Sequence, residues 1–128
     1  MKNGFQELPG LHVEVNEVVF MPDLDAPPEK PFPFVYFLSI VNRSQQVVVI
    51  KGRKWILCES SGETTVVEGQ GVVGENPVIQ SGEQFSYNSY HVVGEDSEVS
   101  GAFFGFDEKG QGVVVKIPSF HLKIPDEQ

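Results

Sequence analysis

The sequence predicts an all-β domain, an antiparallel β-sandwich without substantial helix, on three observations. Apolar residues alternate with polar ones in one segment after another. Strand signals return about every 8–12 residues, which is typical of a β-sandwich. No window keeps the i, i+3, i+4 apolar spacing of a helix over helical length.

The first half of the chain contains four predicted strand segments and one irregular loop. The segments cover residues 11–15, 34–41, 46–50 and 54–58. Gly52 lies between the last two and is predicted to form a bulge or a bend. Residues 22–33 are rich in proline, which cannot donate to a central ladder, so we expect an exposed loop within the same domain.

The second half contains further β-branched or aromatic segments, at 64–67, 85–91, 102–106 and 113–117. The last of these has its apolar residues in one phase up to Ile117. After Pro118 and Ser119 the phase changes, because Phe120 begins a new alternating series. Such a change at a proline indicates a bulge, a kink or a strand that moves to the other sheet.

The length and composition indicate one globular domain. In a chain of 128 residues we expect a flexible N-terminus at 1–10, the domain at 11–125 and a short C-terminal tail at 126–128. With 9 basic and 18 acidic residues the formal charge is −9, so neither nucleic acid nor an anionic membrane is an expected partner.

The single cysteine, Cys58, excludes an internal disulfide and a zinc site made of several thiolates. Together with the absence of an N-terminal apolar segment, this favours a cytoplasmic location. Because Cys58 ends an apolar strand segment, we predict that it is a small buried residue.

The stretch from Gly69 to Gly74 reads GQGVVG and matches the G-x-G-x-x-G pattern of dinucleotide-binding loops. Such loops need a helix directly after the last glycine, because its free amide groups hold the pyrophosphate. Pro77 and the β-branched residues after it disfavour a helix here, and Glu75 stands where a P-loop has lysine. We therefore predict a structural turn. An anion site formed by the amide groups of Gly69, Gly71 and Gly74, with Lys51 or Arg53 as counter-charges, stays open as the alternative.

Other candidate chemistry is sparse. The three histidines have no metal-ligand spacing, and the acidic pairs sit in turn-like segments where carboxylates are solvated. No nucleophile motif is present. We therefore expect no catalytic residues, no metal site and no cofactor. Trp55, on a middle strand, is predicted to pack between the sheets.

Three segments in order resemble the ApaG domain family over about residues 11–125. NRSQQVVVIKGRKWIL contains the Arg53-x-Trp55 pair, VEGQGVVGENPVIQSGEQFSY contains the glycine loop, and GAFFGF with KIPSFHL supplies the closing strands. The last segment ends in Ile-Pro-x-Phe, and with Trp55 we assign its Pro118 and Phe120 to the structural core.

The resemblance implies an immunoglobulin- or fibronectin type III-like sandwich. ApaG domains also occur as modules of F-box and polymerase delta-interacting proteins, which implies a non-catalytic module that binds a protein or peptide through sheet edges or loops; a homodimer is possible. The family's links to magnesium, cobalt and diadenosine tetraphosphate imply two alternatives. These are nucleotide or pyrophosphate binding at the glycine loop and a role in divalent-cation homeostasis.

Overall fold

The computed structural model of the chain describes residues 4–125. Two expectations lie outside the described residues: the C-terminal tail at 126–128, and residues 1–3 of the N-terminus that was expected to be flexible. Within residues 4–125 the structure has nine strands and no helix. Their bounds are β1 Phe5–Gln6, β2 Leu11–Phe20, β3 Phe32–Asn42, β4 Val48–Glu59, β5 Thr64–Gln70, β6 Val78–Ile79, β7 Gln84–Val93, β8 Ser97–Asp107 and β9 Gly112–Leu122.

The strands form two sheets. The larger sheet has the order β1-β9-β8-β4-β5, with β6 also pairing with β4, and the smaller has the order β2-β3-β7. All pairings are antiparallel except that of β1 with β9, which is parallel. The predicted all-β sandwich is thereby confirmed. No helix in the described residues is long and apolar enough to span a membrane.

The core lies between the sheets and is built from alternate residues of the longest strands. Within these strands the apolar side chains that are almost fully buried are Leu38, Ile40, Val48, Ile50, Trp55, Val93, Val99, Phe103 and Leu122. Burial of a large apolar side chain contributes about 1.5–3 kcal/mol, so this layer is the main source of stability.

Two bulges adjust the register where the sequence indicates them. The pairing of β4 with β8 shifts between Ile50 and Gly52. The pairing of β8 with β9 also shifts, because Val99 opposes Phe120 while Gly101 opposes Ile117. The phase change after Ile117 is therefore a bulge within β9, and the strand stays in one sheet.

Two side chains expected inside are exposed. Cys58 is exposed because Trp55 and Leu57 point into the core, which leaves the even-numbered neighbour on the outer face. Pro118 is exposed because it lies in the bulge of β9, where the strand turns that residue outward. Phe120 is partly buried and packs against the core.

Candidate functional site

Arg53, on the neighbouring strand β4, forms hydrogen bonds to the glycine-rich stretch. Its Nη1 donates hydrogen bonds to the carbonyl oxygens of Gln70, at 2.8 Å, and Gly71, at 3.1 Å. The guanidinium lies so close to Gly69 that a Cβ at that residue would come within 2.7 Å of Nη2. A side chain at position 69 would therefore have to displace the guanidinium from its present place.

The other two glycines of the motif shape a tight turn. The amide of Val72 donates to the carbonyl of Glu75 at 2.7 Å, and the amide of Glu75 donates back at 2.9 Å. Between them Val73 and Gly74 have φ angles of 41° and 84°, as in a type I′ hairpin turn. Gly71 has a φ of 67°, and a Cβ there would lie 2.4 Å from the carbonyl oxygen of Glu75.

Val73 is the one non-glycine residue with a positive φ in the described part of the chain. A β-branched side chain in the left-handed region is strained, because its Cβ crowds the following carbonyl. The side chain is also 48% exposed, so no burial offsets this strain. The turn therefore presents a strained apolar tip to solvent.

Three amide groups of the turn, those of Gly71, Val72 and Glu75, are already bonded inside the protein. Gly71 donates to the carbonyl of Lys51 at 2.7 Å, and Val72 and Glu75 bond to each other. The chain then runs into β6, so no helix N-terminus faces this loop. Of the residues proposed for an anion site, the structure brings Arg53 against Gly69 and Gly71, whereas the side chain of Lys51 is exposed on the surface.

A group of aromatic and polar rings fills the centre of the sandwich. Trp55 is 1% exposed, and its ring centroid lies 4.9 Å from that of Tyr36 and 4.7 Å from that of His91. Tyr36 and His91 are themselves 4.7 Å apart. Trp55 Nε1 and His91 Nε2 are buried without a hydrogen-bond partner among residues 4–125. Burial lowers the pKa of His91 to about 4, so the imidazole is neutral at pH 7.

Asn42 is a fully buried polar residue for which no structural role was predicted. Its Nδ2 donates to the carbonyl oxygens of Gln46, at 2.8 Å, and Ile79, at 2.9 Å. Its Oδ1 accepts from the amide and the hydroxyl of Ser44, at 3.0 and 2.6 Å. One side chain thus joins the end of β3, the following turn and β6. An asparagine directly before a turn is the only sequence signal for this role.

A partly buried ion pair lies at the other end of the sandwich. Lys30, in the proline-rich loop, donates to Glu59 at the end of β4 with an Nζ–Oε2 distance of 2.5 Å, and the Glu59 side chain is only 4% exposed. The hydrogen bond to Glu59 raises the pKa of Lys30. Glu63 lies 3.7 Å from the same Nζ. The loop from the smaller sheet is in this way tied to the larger one.

Strand β5 has an open edge. Within residues 4–125 no strand pairs with the side of β5 that faces away from β4. Two hydrogen bonds lie at the ends of the ladder between β4 and β5 and continue its register. The amide of Glu59 donates to the carbonyl of Glu63, and the amide of Gly71 donates to the carbonyl of Lys51. Hydrogen-bonded pairs alternate in an antiparallel ladder. The odd-numbered residues of β5 therefore bond to β4, and the even-numbered ones direct their backbone groups to the open edge.

Valines flank this edge on both faces of the sheet. Val66 is 51% exposed on the outer face, and Val67, opposite Trp55, is 39% exposed on the inner one. The strand carries no bulge in its pairing with β4. Exposed apolar side chains beside unpaired backbone groups favour pairing with another strand.

The edges of the smaller sheet are better protected. The register of β2 shifts between Val15 and Glu17, and its outer positions carry charged side chains. Strand β7 is joined to the proline-rich loop, because the hydroxyl of Tyr90 donates to the carbonyl of Asp25 at 3.1 Å. Bulges and charges protect edge strands from association. Compared with the edges of β2 and β7, that of β5 is the better suited to receive a strand.

The described residues provide no cluster for metal chemistry. Across residues 4–125, no three or more His, Cys, Asp or Glu side chains are placed together to hold a metal ion.

Comparisons with protein families, curated proteins and solved structures show what the chain is similar to. The family model of the ApaG domain matches residues 22–105. The chain is 33% identical to Protein ApaG of Vibrio cholerae over 119 residues, covering 92% of this chain and 94% of the relative. It is 36% identical to Protein ApaG of Pectobacterium carotovorum over 100 residues, covering 77% and 80%. A crystal structure described as that of an ApaA protein from Bordetella pertussis superposes with a TM-score of 0.80 at 27% identity, covering 91% of this chain and 95% of that one. The chain therefore belongs to the ApaG domain family.

Proposed function

We propose that the chain is a non-catalytic binding module that takes a protein or peptide partner by strand addition to β5. The observation that carries this proposal is the open edge of β5, with Val66 and Val67 exposed beside it. In strand addition the main-chain hydrogen bonds provide affinity, and alternate side chains provide specificity. A cytoplasmic location is part of the proposal and is supported by the single cysteine.

The alternatives implied by the family have less support. A pyrophosphate at the glycine turn would compete with carbonyl oxygens for the amides of Gly71, Val72 and Glu75. The nearby carboxylates of Glu68 and Glu75 would also repel it. For divalent cations, residues 4–125 present no cluster of three or more suitable side chains.

Val66→Pro tests the strand-addition mechanism directly. The amide of Val66 points to the open edge, so proline removes a donor that a partner would use without removing a bond to β4. Val66→Ala is the matched control, because it removes the side chain and keeps the amide. We expect a partner isolated with the wild-type chain to bind the Ala variant within about fivefold and to lose at least tenfold in affinity for the Pro variant.

Equal binding of that partner by the wild type and by Val66→Pro would place the interface elsewhere on the protein. Turnover of a nucleotide or phosphoester by the purified chain, abolished by substituting one polar residue, would refute the non-catalytic assignment. Circular dichroism of both variants checks that the sandwich is intact.

A further inference from the structure

The edge of β5 lies between acidic side chains. Glu63 directly precedes the strand, Glu68 lies within it and Glu75 follows the glycine turn, and all three are exposed. Glu68 has Lys54 as its cation, at 3.7 Å. Glu63 shares Lys30 with the buried Glu59, which holds that ammonium at the shorter distance of 2.5 Å. The negative charge at both ends of the edge is thus only partly neutralised.

We infer that the strand added to β5 is a basic, β-branched segment of a partner protein. This inference rests on the proposed strand addition and specifies the chemistry of the partner. The whole chain carries a formal charge of −9, so the long-range field also attracts a cationic segment. Charge complementarity across an interface sets the specificity and the rate of association.

A second copy of this chain is a poor occupant of the same edge. Residues whose backbone groups face the open edge must pair with one another, and the antiparallel register that sets Val66 against Val66 places Glu68 opposite Thr64 and Glu63 opposite Gly69 of the second copy. Neither glutamate therefore meets a basic side chain in that register. Two copies, each with a formal charge of −9, also repel at long range.

The register of β5 defines the sequence pattern of the partner. In an antiparallel partner strand a basic residue lies opposite Glu68, and apolar β-branched residues lie opposite Val67 and Val66. A second basic residue then lies three positions further on, opposite Glu63. Read from its N-terminus, the partner segment has the pattern basic, β-branched, β-branched, any, any, basic. Antiparallel pairing is the more stable arrangement.

Synthetic peptides test the charge preference on the full chain. One peptide of about ten residues has the core Lys-Val-Val-Thr-Thr-Lys, and the matched peptide replaces both lysines with glutamates. Each exposed ion pair is worth up to about fivefold in affinity. Replacing both lysines with glutamates removes two attractions and adds two repulsions. We therefore expect the lysine peptide to bind at least tenfold more tightly than the glutamate peptide at low salt. The preference should shrink as salt is added.

N-methylation of the lysine peptide tests the geometry without altering the protein. Methylation of the second valine, opposite Val66, removes an amide that faces β5 and should abolish binding. Methylation of the first valine, opposite Val67, affects an amide that faces away and should leave binding within about threefold. In nuclear magnetic resonance spectra, the amides of Thr64, Val66, Glu68 and Gln70 should gain exchange protection when the lysine peptide binds.

The outcomes separate this inference from the function on which it depends. If both peptides bind equally and the methylation pattern holds, strand addition stands and the basic partner is refuted. If neither peptide binds at millimolar concentration, or if both methylated peptides bind equally well, strand addition to β5 itself is refuted. Self-association that protects residues 64–70 without peptide, and that Val66→Pro abolishes, would identify a second copy as the occupant.

Discussion

The buried imidazole of His91 makes the stability of the fold sensitive to acid. His91 packs between Tyr36 and Trp55, and burial lowers its pKa to about 4 from an ordinary value of about 6.5. Between these two pKa values the unfolded chain binds a proton that the folded chain does not. Stability is therefore fully present above about pH 6.5 and falls as the pH drops through this window.

The size of the effect follows from the two pKa values. The pKa of about 4 in the folded chain and about 6.5 in the unfolded chain correspond to a loss of about 3 kcal/mol of stability by pH 4, since each pH unit between them is worth about 1.4 kcal/mol. Urea denaturation of the wild type and of His91→Leu, at pH 7 and pH 4, measures this contribution. Carboxylates titrate in both proteins, so their effect cancels in the comparison. We expect the wild type to lose about 3 kcal/mol more than His91→Leu over this range.

An exposed histidine supplies the control for this experiment. His121 lies on the surface, so His121→Leu should retain the full acid sensitivity of the wild type. If the wild type and His91→Leu lose the same free energy of unfolding within about 0.5 kcal/mol, the imidazole is not held neutral by burial and the reasoning is wrong.

Three further substitutions test the turn and the buried amide. Asn42→Ala leaves the polar groups that Asn42 satisfies without partners, so we expect a loss of about 3 kcal/mol or more in urea denaturation, and a loss below about 1 kcal/mol would contradict the assigned role. Val73→Asn places Asn-Gly in the type I′ turn and should raise the melting temperature by about 4 °C, whereas an unchanged or lower value would show that the turn is not strained. Gly69→Ala displaces the Arg53 guanidinium and should cost about 2 kcal/mol, but close to nothing in an Arg53→Ala background; equal costs in both backgrounds would disprove the coupling.

Local patterns in the sequence predicted the architecture well, because the period of the apolar residues directly reports which face of a strand is buried. The register shift at Gly52 and the change of phase after Ile117 were both visible as interruptions of that period. The burial of Cys58 was predicted wrongly. The apolar run that contains Cys58 has no alternation, so it did not show which of its side chains point inward. In the structure Trp55 points inward, and Cys58, three residues further on, points outward.

The features that depend on long-range contacts could not be found in this way. The bond between Lys30 and Glu59 joins residues 29 positions apart, and that between Asn42 and Ile79 joins residues 37 positions apart. Neither pair has a local signature. For the glycine stretch, the absence of a following helix was predictable, but the reason for glycine at 69 lies in Arg53 on another strand.

The contact between Arg53 and Gly69 links two positions that are directly opposite each other in the ladder between β4 and β5. The guanidinium occupies the volume that a side chain at 69 would need. Among homologous chains these two positions should therefore covary, with glycine at 69 favoured where arginine stands at 53. Transplanting the arginine into another β-hairpin would therefore call for a glycine at the position opposite it.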